Sequence, residues 1–268
     1  MAVRLAREKK AASPAISMVI ITSVTIVLVS IAANYAYQVL DRQQGASELE
    51  AATKSIVTFD DAVRDVAWDR GGSRSTRFTL NRGYMNMALN KTLGVTVSDV
   101  QSGGYSTSYS TSTGYLWYSL PTDYVNYGNG YEAVILGDNE TIISGTTESI
   151  GRVLLKQESG TVSIILSYRV HAWREGLTIL SDATPVNYVD IMIVRISVTR
   201  NFILSGDFDL VARNVGLTTV SRGPYTVGSG NACSVSVNLD GATSSLMLDL
   251  DPGMVVFNFI ISDVRIST

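Results

Sequence analysis

Polarity along the chain changes character twice. From Ala11 to Leu40 there is no charged residue, and Ile16 to Ala33 is dense in Ile, Val, Ser and Thr. A helix rises about 1.5 Å per residue, so about 20 of these positions cross a hydrocarbon layer of about 30 Å. The pattern then becomes amphipathic: Leu49, Ala52, Ile56, Phe59, Val63 and Val66 recur at three- and four-residue spacings, one apolar stripe on a helix. Gly45 interrupts the two halves and predicts a kink or local melting there, and Gly71-Gly72 predicts the stop. One long helix from about residue 14 to 70 is expected, with a soluble domain receiving its stripe.

Beyond Arg77 the period becomes two. Val162, Ile164, Leu166, Tyr168 and Val170 fall on one parity; so do Cys233, Val235, Val237 and Leu239, and so do Val255, Phe257, Phe259 and Ile261. These read as half-buried antiparallel strands joined by turns such as Gly137-Asp138-Asn139 and Asp251-Pro252-Gly253. Many strands after one helix give an α+β class, with a mainly antiparallel β-sandwich as head. The stretch from residue 103 to 131 stands apart, holding seven of the thirteen tyrosines together with Trp117. It reads either as an exposed loop, hairpin or subunit contact at the edge of the head, or as an adhesive aromatic patch centred on Tyr115, Trp117 and Tyr118.

Charge gives the apolar run a direction. The net charge is −3, yet Arg4, Arg7, Lys9 and Lys10 precede the run with only Glu8 opposing them. Basic residues on that flank predict the N-terminus inside and the large C-terminal part outside. The remainder is acidic and carries no basic patch, which argues against nucleic acid as a partner. A single cysteine, Cys233, and a single histidine, His171, exclude an intrachain disulfide and a Cys/His metal cluster.

Three fates of the run follow. A secretory signal cut near Ser30-Ile31-Ala32 would discard it, although the run is longer than the usual h-region, and an uncleaved signal anchor would keep it. The third rests on the boundary itself, where Lys9-Lys10-Ala11-Ala12 is followed by Ser13, a good N-cap, and Pro14, which suits a first helical position. A short charged leader, small residues and then Ser-Pro before an apolar helix resembles the class III signal of archaeal type IV pilins. The resemblance covers about 30 residues. It implies a prepilin peptidase cutting between Ala11 and Ala12, with Lys10, Ala11, Ala12, Ser13 and Pro14 as the processing site. Ile16 would be the fifth mature residue, where bacterial type IV pilins carry glutamate, which points to the archaeal branch.

The implied organisation is a leader at 1–11, a transmembrane and filament-core helix at 12–40, its amphipathic continuation at 41–72, and an extracellular β-rich head at 73–268. The implied protein is a filament subunit made in the membrane and then polymerised with copies of itself by pilus assembly machinery. The alternative is a minor pilin or anchored module whose head binds a sugar or another surface ligand. An ectoenzyme lacks support, because no acid, base and nucleophile set converges. His171 reads as structural, Cys233 as a buried thiol with an intermolecular bridge as its rival, and the pairs Asp207/Asp209 and Asp249/Asp251 as turn and edge-strand residues rather than Ca²⁺ ligands. No cofactor or metal is expected. Asn90-Lys91-Thr92 and Asn139-Glu140-Thr141 are candidate N-glycosylation sites on an outward-facing head.

Overall fold

The structure is a computed structural model that describes residues 9–100, 104–145, 148–180, 184–199, 202–228, 230 and 232–268, with side chains from residue 16 onward. It opens with a single helix, α1 (Lys9–Ala67), of 59 residues and therefore about 88 Å. The helix passes through Ser13-Pro14 and Gly45 without a break, so Ser13 does not start it and it does not melt at Gly45. Residues 16 to 44 are exposed throughout, whereas the stripe Leu49, Ala52, Ile56, Phe59, Val63 and Val66 is buried in the head. One helix is thus a bare rod for half its length and a core element for the other half.

Among the described residues twelve strands follow: β1 (Ser73–Asp99), β2 (Ser106–Pro121), β3 (Glu132–Leu136), β4 (Ile142–Ile143), β5 (Gly151–Glu158), β6 (Thr161–Tyr168), β7 (Val170–Ile179), β8 (Pro185–Val198), β9 (Ile203–Val227), β10 (Ala232–Leu239), β11 (Ala242–Asp249) and β12 (Gly253–Ser267). They form one hydrogen-bonded sheet in the order β3-β5-β6-β2-β1-β9-β12-β8-β7-β4, with β10 attached to β1 and β11 to β10. β8–β12 and β4–β7 are parallel; the other pairs are antiparallel. The expected pair of separate sheets is replaced by one continuous sheet. The reason lies in β1, which pairs with β9 from Ser73 to Asn86 and with β10 from Leu93 to Asp99.

Two irregularities in β1 make that change of partner. Register slips between Leu80 and Met85 and again between Ala88 and Lys91, where Asn90 takes a positive φ of 60°. Side chains alternate along a strand, so each slip re-aims those that follow. Phe78, Leu80 and Met85 enter the core under α1, whereas Leu93, Val95 and Val97 enter a second core on the opposite face. That second core joins them and β10 to β8 and β12, so the sheet curls over itself. β8 is buried on both faces: Val189, Ile191 and Ile193 face the second core, and Met192, Val194 and Ile196 the first, whereas β12 alternates as expected, with Val255, Phe257, Phe259 and Ile261 in the second core. The expected strand through Val170 ends at Tyr168 instead. Arg169, buried and bonded to Asp138 and to the Ser149 carbonyl, separates the strands, and Val170 faces the other core.

Candidate functional site at the neck of the rod

Where α1 enters the head, three devices fix its direction. Gly45 is buried against Tyr124, and a Cβ there would lie 2.5 Å from the tyrosine Cβ. Glu48, one turn further on, is buried at 8% exposure and accepts hydrogen bonds from the backbone N–H groups of Asn81, Arg82 and Gly83 at 2.7–3.2 Å. The Tyr118 hydroxyl also donates to Glu48, at 3.1 Å. Residues 81–83 lie in the first irregularity of β1, where ladder partners are missing, so the helix carboxylate supplies acceptors that the sheet does not. Arg82 then reaches back to Asp41 at 2.8 Å and to Gln44, and its guanidinium lies 5.7 Å from the Tyr124 ring centroid.

Beyond the neck the rod exposes an apolar surface far larger than isolated hydrophobic residues on a monomer, including Ile16 to Ile21, Val24, Ile26 to Val29 and Ile31. It is long and apolar enough to cross a membrane. Four of its hydroxyls bond within the helix: Thr22 donates to the Met18 carbonyl, Ser23 to Val19, Thr25 to Ile21 and Ser30 to Ile26. Such back-bonding lets polar side chains sit in an apolar environment and keeps the surface narrow for another helix to approach.

At the far end of the buried half, Asn214 of β9 closes the helix. Its Nδ2 donates to the carbonyls of Val66 and Ala67, both at 3.0 Å, and Ser262 Oγ donates to Ala67 at 2.7 Å. Gly71, at φ +89°, turns the chain away and donates its N–H to the Asn214 carbonyl. Between the two ends lies Asp60, fully buried, paired with Arg64 at 3.0 Å and receiving a bond from Ser149. Burial raises its carboxyl to about 6 against the opposing pull of Arg64.

The aromatic residues expected on the surface lie elsewhere. The second half of β2, from Leu116, lies between β1 and β6, so Tyr118 is fully buried in the first core, while Tyr115 just before it is buried in the second and Trp117 is half-buried. The adhesive patch at Tyr115, Trp117 and Tyr118 is therefore corrected: alternation on an interior strand sends successive rings into opposite cores. Asn90 and Asn139 are both exposed, but the Thr141 side chain of the second sequon is buried and bonded to the Val237 carbonyl. Lys10 to Pro14 lie on helical backbone, and their side chains fall outside the described residues, as does the leader through residue 8.

Cys233 is a free buried thiol, and burial pushes its pKa up to about 12. His171 is half-buried against Trp173, its pKa lowered by burial. Asp207 pairs with Thr79 and Arg77, and Asp251 with Arg174. Among the described residues no three His, Cys, Asp or Glu side chains converge on one point.

Sequence reasoning missed Glu48 and Asp60, and it misread Gly45. The signal was present, since all three fall on or beside the stripe running through Leu49, Ala52, Ile56, Phe59 and Val63, and a carboxylate on a core-facing stripe announces a buried polar partner. No protein-family model, curated protein or solved structure matches the chain.

Proposed function

We propose that the chain is a structural subunit of a type IV pilus-like filament of the archaeal kind. It would be held in the membrane by the rod before assembly and packed through it afterwards. The supporting observation is the continuity of α1. Twenty-nine exposed residues, 16 to 44, run without a break into a half locked inside the head, with the neck held by Gly45, Glu48 and Arg82. A rod with one fixed direction relative to its head suits a polymer, in which each subunit presents the same surfaces to its neighbours. Moving the rod from lipid to a helix bundle gains little hydrophobic energy, because both surroundings are apolar, so close packing and head contacts decide whether the polymer forms.

On this reading the peptidase removes residues 1–11 and leaves Ala12 as the N-terminus. N-terminal sequencing of the native protein tests processing, and imaging of appendages from cells with and without the gene tests assembly. A start near Ala33, or unchanged filaments in its absence, refutes the reading.

The anchored-monomer or minor-subunit alternative is favoured by the size of the head, residues 73 to 268. Abundance in sheared filament preparations separates the two, since a major subunit dominates them.

A further inference from the structure

At the end of the head opposite the neck, α1 gives out beside a cleft. Arg64, Trp68, Glu148, Ile150 and His171 line a cavity of about 310 Å³. Twenty-two helical steps separate Gly45 from Ala67, so this cleft sits about 33 Å from the neck, on the side away from the rod. Trp68, the first residue past the helix, keeps 49% of its surface exposed. Its ring meets Trp173 edge-on, centroids 6.1 Å apart at 65°, and Trp173 in turn lies 4.5 Å from the His171 ring. Trp68 and His171 line the cleft together with the Glu148 carboxylate and the Arg64 guanidinium, Trp173 braces both rings, and His171 Nε2 is buried and has no hydrogen-bond partner among the described residues.

We infer that this cleft binds a neutral saccharide ring. Three properties of the site select that chemistry. The half-exposed Trp68 ring, braced edge-on by Trp173, offers a flat apolar face of the kind that covers the C–H side of a pyranose. A carboxylate acceptor and a guanidinium donor on the rim match the hydroxyls of the same ring, which need both. The charges also oppose each other: a cationic ligand drawn to the tryptophan faces would meet Arg64, and an anion drawn to Arg64 would meet Glu148, with Asp60 and Asp61 already paired to the arginine. A polar ligand without net charge avoids both conflicts. The site is distinct from the buried aromatics of β2, and its chemistry does not depend on whether the rod polymerises.

The test uses the full chain in detergent micelles. The probes are methyl α-glucopyranoside, methyl α-mannopyranoside and N-acetylglucosamine, with tetramethylammonium chloride and sodium sulfate as charged controls. Saturation-transfer NMR reads contact with ring protons, and tryptophan fluorescence reads affinity. At least one saccharide is expected to receive saturation and bind in the millimolar range, and neither charged control is. W68A is expected to weaken binding about tenfold or more, W68F less, and E148Q about threefold to tenfold. E148Q leaves Trp68 and Trp173 untouched, so it decides the case if W68A perturbs the fold. The inference is overturned if none of the saccharides binds, if binding is indifferent to both W68F and E148Q, or if tetramethylammonium or sulfate binds in their place.

Discussion

Tyr124 packs directly on the α-carbon of Gly45, so that a Cβ at that position would lie 2.5 Å from the tyrosine Cβ and 2.7 Å from its Cγ. The glycine that looks like a weak point in the helix is instead a place where head and helix touch closely. In an exposed helix interior, Gly→Ala gains about 1 kcal/mol. Here the overlap is with Tyr124 Cβ and the root of its ring, atoms that cannot move without the backbone, so G45A is expected to destabilise the head by about 1–3 kcal/mol. Denaturant unfolding of the full chain in micelles measures it, and the double variant G45A/Y124A should recover part of the loss. A stabilised G45A would show that the contact is not tight.

Glu48 is expected to be the costliest single carboxylate to remove. E48A leaves the N–H groups of residues 81–83 and the Tyr118 hydroxyl without their acceptor, and Gly83 is itself buried. An unsatisfied buried group costs about 1–3 kcal/mol, more where the lost partner is charged. A loss of about 2–4 kcal/mol is expected for E48A, with E48Q between it and the native chain. Amide exchange at residues 81–83 should accelerate in E48A beyond what its lower global stability explains.

Much of the fold is legible in the sequence because its main signals are periodic. The stripe on α1 predicts the six residues that bury it, and parity predicts that Cys233, Val235, Val237 and Leu239 share one face of their strand and Val255, Phe257, Phe259 and Ile261 one face of theirs; that both sets meet in the same core is seen only in the structure. What periodicity cannot carry is the path of a long strand. The slip near Asn90 re-aims Leu93, Val95 and Val97 toward the second core by a single positive φ, and nothing in a hydrophobic pattern marks it. The same limit explains Tyr115 and Tyr118: the hydroxyl-rich start of β2 does lie at the surface, with Ser106, Ser108, Ser110 and Ser112 exposed, whereas the cover over its second half depends on strand order, a property of distant segments. The cleft at Trp68 is likewise assembled from residues 64 to 171, too far apart for local spacing to reveal.

Asn214 makes a sharper test through its charge than through its size. N214A removes two hydrogen bonds from the last carbonyls of α1, a loss expected to cost about 1–3 kcal/mol. N214D keeps the shape but turns the donor into a second acceptor and places a negative charge at the helix C-terminus, where the dipole is unfavourable to anions. At neutral pH N214D should therefore be less stable than N214A, and it should recover as the pH falls through the carboxyl range. Thermal melts at pH 4 and pH 7 decide this, and equal stability of the two variants at both values would refute the cap.

Asp60 gives the head a stability that falls as pH rises. Its carboxyl titrates at about 6 in the folded chain because burial penalises the charged form more than Arg64 relieves it, whereas in the unfolded chain it titrates near its ordinary value of 3.8. The folded state therefore binds this proton more tightly. The contribution is full below the unfolded value and is lost as pH rises through the folded one. Two units correspond to about 3 kcal/mol, an upper figure that any water reaching the carboxylate reduces. Asparagine carries no such titration, and Arg64, at 39% side-chain exposure, can turn to solvent when its partner is neutral. Urea unfolding of the native chain and D60N at pH 4.5 and 7.5 should show the difference between them moving by about 2 kcal/mol in favour of D60N at the higher pH, since about 1 kcal/mol is already lost at pH 4.5. A difference constant to within about 0.5 kcal/mol would mean that Asp60 is ionised throughout, and that its pairing with Arg64 outweighs burial.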